Sequence, residues 1–120
     1  IGTAFLGCHE WGIPSVWREQ LKASSPSRTT VTTVISGKPA RGLANRYIQD
    51  MEALEDGPMP YPLQYSLSGV IRQKAAQQGN PDFLAMWSGQ GVGMLREMSA
   101  ADLLKALVVE TEVLLKTLSG

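Results

Sequence analysis

Ile1-Gly2-Thr3-Ala4-Phe5-Leu6 is the stretch on which the fold class turns. Its apolar residues run almost without interruption and Gly7 closes it, the pattern of a buried strand ending in a turn. Strands this apolar belong in α/β sheets whose faces are covered by helices. A chain whose first residue is already strand-like is expected to continue from residues upstream of it.

Moving outward, Pro14 suits the first turn of a helix that carries Val16, Trp17, Gln20 and Leu21 and ends near Ser24. Thr29 to Ile35 is rich in β-branched residues, which lose rotamer freedom in helices and suit a pleated strand, and Ser36-Gly37-Lys38-Pro39 ends it. From about Arg41 to Leu54 the apolar positions Leu43, Tyr47, Ile48, Met51 and Leu54 recur at helical spacing, until Gly57-Pro58-Met59-Pro60 stops the pattern. Another helix is predicted over Leu63 to Gln78, weakened by Gly69, and a short helical turn over Asp82 to Met86. After the glycine-rich loop Ser88–Gly93, Ser99 to Asp102 resembles a capping box. It opens a helix with Leu104, Leu107, Val108, Leu115 and Leu118 along one stripe. The segment thus reads as α-rich with two short strands. Such a pair is marginal as a sheet, so the helices are expected to cover a barrel or sheet supplied from elsewhere.

Composition narrows the function classes. With 120 residues and 43% apolar content the chain is globular in type. Eleven basic residues balance eleven acidic ones, which leaves no broad field to attract nucleic acid or an anionic membrane surface. The single Cys8 cannot form an internal disulfide, which favours a reducing compartment, the cytoplasm. No apolar run approaches the roughly 20 residues that span a bilayer.

Several residues invite chemistry. Gly2-Thr3 after a strand can turn backbone N–H groups and a hydroxyl toward a phosphate, although a Gly-Thr pair often marks only a turn. Cys8-His9-Glu10 suggests a nucleophile or a metal site, but adjacent side chains diverge and zinc needs more ligands than the neighbourhood offers. Lys38, Arg41 and Arg46 flank a Pro and a Gly and suit either an anion or surface pairing with Asp50 and Glu52. Tyr61 and Tyr65 fall one turn apart if a helix begins near Pro62, placing both on one pocket or in ordinary packing. Gly89, Gly91 and Gly93 miss the dinucleotide spacing, which leaves a close backbone approach to a ligand or another helix.

Taken in order, Ile1–Leu6, Ser36-Gly37-Lys38-Pro39-Ala40-Arg41-Gly42-Leu43-Ala44-Asn45-Arg46, Tyr61-Pro62-Leu63, and Phe83 with Trp87-Ser88-Gly89-Gln90-Gly91 resemble the C-terminal portion of the nitronate monooxygenase (2-nitropropane dioxygenase) family. The resemblance implies an α/β flavoprotein: a flavin-binding TIM barrel with a mostly helical substrate domain. Residues 1–12 then form the last barrel strand and following turn, 13–98 a helical substrate-domain-like region with one short strand, and 99–120 a C-terminal helix. It implies FMN as cofactor, alkyl nitronate and O2 as substrates, and carbonyl product and nitrite as products. Within this segment it implies Gly2 and Thr3, with Ile1 adjacent, as contacts of the FMN phosphate, and Tyr61 and Tyr65 as residues on the flavin's substrate side. The family's catalytic histidine falls upstream and His9 does not match it, so no catalytic residue or metal ligand is assigned here. The segment alone is expected to be inactive, and homo-oligomerisation is left open. Two other readings compete: a flavin-dependent enoyl-acyl-carrier reductase of the same barrel family, which shares the Ser-Gly-Lys/Arg-Pro-Ala-Arg-Gly style of segment, and a non-catalytic helical interaction module.

Overall fold

Backbone pairing between two short strands organises the centre of the chain. In the computed structural model, which describes residues 1–120, β1 (Thr29–Thr32) and β2 (Ala40–Leu43) run antiparallel with Thr29 opposite Leu43 and Thr32 opposite Ala40. The connecting turn needs Gly37: its φ is +91°, and an added Cβ would lie 2.5 Å from the Tyr61 backbone nitrogen. A third segment extends the other edge of β2, where Leu43 donates its N–H to the Met86 carbonyl at 2.8 Å and Ser88 donates to Arg41 at 3.2 Å. Gly42 lets that segment close in, since a Cβ there would sit 2.9 Å from the Met86 carbonyl oxygen.

Six helices surround this ribbon: α1 (Gly2–Leu6), α2 (Ser15–Lys22), α3 (Arg46–Glu52), α4 (Leu63–Leu67), α5 (Gly69–Gln78) and α6 (Ala100–Ser119). Leu21 of α2, Leu43 of β2, Ala75 of α5, Leu84, Met86 and Val92 form one buried cluster. Val34 and Ile35 join Tyr47 and Ile48 of α3 in a second. Polar residues tie the second cluster shut. Gln64 donates its side-chain N–H to the Val34 carbonyl at 2.7 Å, and the Tyr47 hydroxyl donates to the same carbonyl at 3.2 Å. The molecule measures 56 × 29 × 23 Å, and its long dimension reflects α6, whose 20 residues span about 30 Å at 1.5 Å per residue. No helix is long and apolar enough to cross a membrane.

The predicted helix beginning at Pro14 and the capped C-terminal helix both form. Ser99 accepts a hydrogen bond from the Asp102 N–H at 3.1 Å and donates its hydroxyl proton to the Asp102 carboxylate at 2.7 Å. Four expectations are corrected. Ile1–Leu6 is not a strand: Gly2–Leu6 is helical, with Ala4 donating to Ile1 and Cys8 to Phe5, each at 3.0 Å. A short apolar run suits either structure until a strand partner is present, and none pairs here. The Thr29–Ile35 strand stops at Thr32, and the second strand is Ala40–Leu43.

The helix predicted from Arg41 starts instead at Arg46, because the ladder with β1 claims residues 40–43 before helical periodicity can act. Asn45 then caps α3 by accepting from the Ile48 N–H at 3.2 Å. The single helix predicted over Leu63 to Gln78 is two helices broken at Ser68, whose hydroxyl donates back to the Gln64 carbonyl at 2.9 Å. Within α6, Leu103 is buried, while Leu104, Val108, Leu115 and Leu118 of the predicted stripe are exposed in this segment.

Candidate functional site

The first helical turn of α1 lies against the glycine-rich segment. The Gly89 N–H donates to the Thr3 hydroxyl oxygen at 2.7 Å, joining two segments 86 residues apart in the chain. A cavity of about 570 Å³ opens beside this contact. Phe5, Leu6 and Trp11 line one side; Arg41, Trp87 and Ser88 line the other. Arg18 steadies the turn behind α1 by donating to the carbonyls of Gly7 and Cys8, both at 3.1 Å, and of Trp11 at 2.7 Å.

The polar groups at this cavity are mostly donors. Thr3 accepts from Gly89 but its own hydroxyl proton has no protein acceptor. The N–H groups of Gly2 and Thr3 belong to the first turn of α1, whose N–H groups have no partner within the helix. Arg41 is anchored through Nη1 to the carbonyl and hydroxyl of Thr29, at 3.3 and 3.0 Å, and no carboxylate lines the space. A phosphate monoester fits this donor set, and the volume lies within the several hundred cubic ångströms of ordinary ligand pockets.

The other candidates are dispersed. Ile1 is 86% exposed and borders a neighbouring groove rather than the cavity. Tyr61 and Tyr65 are 54% and 44% exposed, and neither lines the cavity. Each carries a cation over its ring instead: the Lys38 ammonium 4.7 Å from the Tyr61 centroid and the Arg72 guanidinium 3.7 Å from that of Tyr65. The basic trio likewise separates, since Lys38 goes to Tyr61, Arg41 to Thr29, and Arg46 to Asp50 at 3.2 Å. Glu52 serves Thr32 instead, accepting its hydroxyl proton at 2.7 Å.

Cys8, His9 and Glu10 diverge as neighbours in sequence do. Cys8 is buried, and burial first, then the Glu10 charge, pushes its thiol pKa up, which keeps it protonated and a poor nucleophile. His9 is exposed and uses its backbone N–H on the Met98 carbonyl. Glu10 accepts from the first N–H of α6, at 3.0 and 3.1 Å. Sequence reasoning missed Trp11, Trp87 and Ser88 as cavity residues. Their motifs were visible, but nothing in the spacing places residues 87–89 against residues 2–6.

The family model for nitronate monooxygenase matches residues 1–110. The chain belongs to the nitronate monooxygenase family. It is 42% identical over 111 residues to a nitronate monooxygenase of Pseudomonas aeruginosa and 40% identical over 111 residues to a probable nitronate monooxygenase of Bacillus subtilis. Each alignment covers 92% of this chain but 32% of the relative, so the chain spans about a third of the length of the curated relatives it matches. Among solved structures, nitroalkane oxidase from Streptomyces ansochromogenes superposes with a TM-score of 0.90 at 34% identity, over 98% of this chain and 33% of that one. FabK from Thermotoga maritima superposes at 0.75 with 22% identity, over 98% of this chain and 38% of that one, a likeness of fold.

Proposed function

We propose that this chain is the C-terminal part of an FMN-dependent nitronate monooxygenase that oxidises alkyl nitronates with O2 to carbonyl product and nitrite. The observation that carries this reading is the family match through residue 110, which includes both sides of the donor-lined cavity. In this reading the segment completes a flavin-binding TIM barrel. Residues 1–12 abut the barrel, 13–98 form the substrate-domain-like region and 99–120 the closing helix. The protein works in the cytoplasm.

Gly2 and Thr3, with Ile1 adjacent, would hold the FMN phosphate through their N–H groups and the free Thr3 hydroxyl proton. FMN, when bound, supplies the electron-transfer chemistry between nitronate and oxygen. The Gly89 N–H fixes the Thr3 hydroxyl oxygen, so its remaining proton is left for an outside acceptor. Trp87 supplies an apolar wall that limits water at the cavity. Tyr61 and Tyr65 are proposed for the substrate side, where their stacked cations suit an anionic nitronate. His9 has no part in the reaction.

The test is to purify the full-length protein and measure bound flavin and oxygen consumption with alkyl nitronates. Copurified FMN with nitronate-dependent oxygen uptake and nitrite release is the expected result. A colourless protein, or one that instead oxidises NAD(P)H with enoyl thioesters, would overturn the proposal.

A further inference from the structure

Within residues 1–120, Arg41 is the one charged side chain lining the cavity, and no carboxylate of these residues pairs with it. Its Nη1 is spent on Thr29, while Nη2 and Nε have no protein acceptor. The guanidinium is therefore held from one corner with donors to spare, and Arg41 lines the cavity half-buried alongside Phe5, Trp11 and Trp87. Its backbone is joined to the Thr3 region: Ser88 donates to the Arg41 carbonyl at 3.2 Å, and the next residue, Gly89, donates to Thr3 at 2.7 Å. A cation in a mostly apolar recess is unfavourable unless an anion arrives, and planar guanidinium geometry matches oxyanions in particular.

We infer that Arg41 is an oxyanion-binding residue of this cavity, acting with the Gly2–Thr3 turn. The inference rests on the flavoenzyme reading above. Two sources carry the required chemistry: the phosphate monoester of the flavin and the oxygen atoms of the anionic nitronate. A charge-assisted contact of this kind is worth about tenfold in affinity or more.

The experiment compares wild type, Arg41→Ala and Arg41→Lys in the full-length protein, with Thr29→Val as a variant that keeps the charge and loses half of its anchor. Dissociation constants for FMN and for riboflavin, which lacks the phosphate, are read on the apoprotein from flavin fluorescence. KM and kcat for alkyl nitronates are read on flavin-saturated enzyme, and a thermal melt reports folding. Weakening of FMN by about tenfold, with riboflavin unchanged and partial rescue by Arg41→Lys, supports the inference with phosphate as the anion. A comparable rise in nitronate KM, with FMN affinity and kcat little changed, supports it with the substrate as the anion.

Equal weakening of FMN and riboflavin with KM unchanged would mark Arg41 as a brace for β1 and β2 and overturn it, as would no change in any constant. If Arg41→Ala does not fold, Arg41→Lys and Thr29→Val carry the same comparison with smaller shifts in the same direction. Failure of the functional reading is separable. A wild type that binds FMN but ignores nitronates counts against the reaction and leaves the FMN-against-riboflavin comparison intact, whereas a normal wild type with silent Arg41 variants counts against this inference alone.

Discussion

Around Leu21, Leu43 and Met86 the chain buries large side chains almost completely, whereas α6 leaves seven of its leucines and valines more than half exposed. Both regions carry leucine and valine, yet they are stabilised in different ways. The first cluster forms where α2, β2, α5 and the Leu84–Met86 segment converge, so each side chain is enclosed from several directions. α6 meets the body mainly along one edge, through Leu103, the Ser99 and Glu10 caps, and an Arg96–Glu110 ion pair at 2.5 and 2.9 Å. An apolar stripe is a capacity to be buried, and only converging elements turn it into stability.

Four perturbations sharpen this contrast, beginning with the largest. Leu43→Ala should cost the full-length protein about 2–5 kcal/mol, because it opens a cavity among enclosed neighbours; chemical denaturation measures this. The same truncation at Leu114, 61% exposed, should cost far less when both variants are measured in that same protein, and equal losses would erase the distinction. Asn45→Ala is next, at about 1–3 kcal/mol, since it removes the cap of α3, takes the side-chain donor from the Leu84 carbonyl and leaves the Pro81 carbonyl with the Leu84 N–H alone. Loss of amide protection at Ile48 together with displacement of the 81–84 turn is its expected signature.

Ser99→Ala should cost about 1 kcal/mol of helix stability. Since α6 rests on caps more than on packing, hydrogen exchange should show fraying of its first turn with little change in the core amides. The smallest effect is one of pH. The hydrogen bond from Arg96, and then its charge, holds the Glu110 pKa below its ordinary 4.5. A carboxylate whose folded pKa is depressed stabilises the folded state above its unfolded pKa, and that contribution is lost as pH falls through the folded pKa. NMR shifts of α6 amides around Glu110 should therefore move on acidification below about pH 4.5, and Glu110→Gln should abolish the pair's share of that movement.

Local signals with a local cause were legible. Pro14 starting a helix, Gly37 turning the chain and Ser99 capping α6 each act within four residues, and each is found where the sequence places it. Signals that need a distant partner were ambiguous. Ile1–Leu6 had the composition of a strand and formed a helix. Arg41–Leu43 falls within a helical pattern, yet Ala40–Leu43 forms a strand because Thr29–Thr32 is there to pair with it. The candidate site divides in the same way. Gly2 and Thr3 were visible as potential donors, while Arg41 looked like one of three interchangeable surface cations.

By itself, the sequence determined family membership, through ordered motifs distributed across residues 1–110, and the local chemistry of caps and turns. Tertiary structure alone decided which of those motifs share a site. It set Gly89 on Thr3 across 86 residues of chain, put Arg41 and Trp87 opposite α1, and sent Lys38 and Arg46 elsewhere. The physical reason is that a hydrogen bond to a distant backbone group depends on how intervening elements pack, and that packing is a property of all of them together.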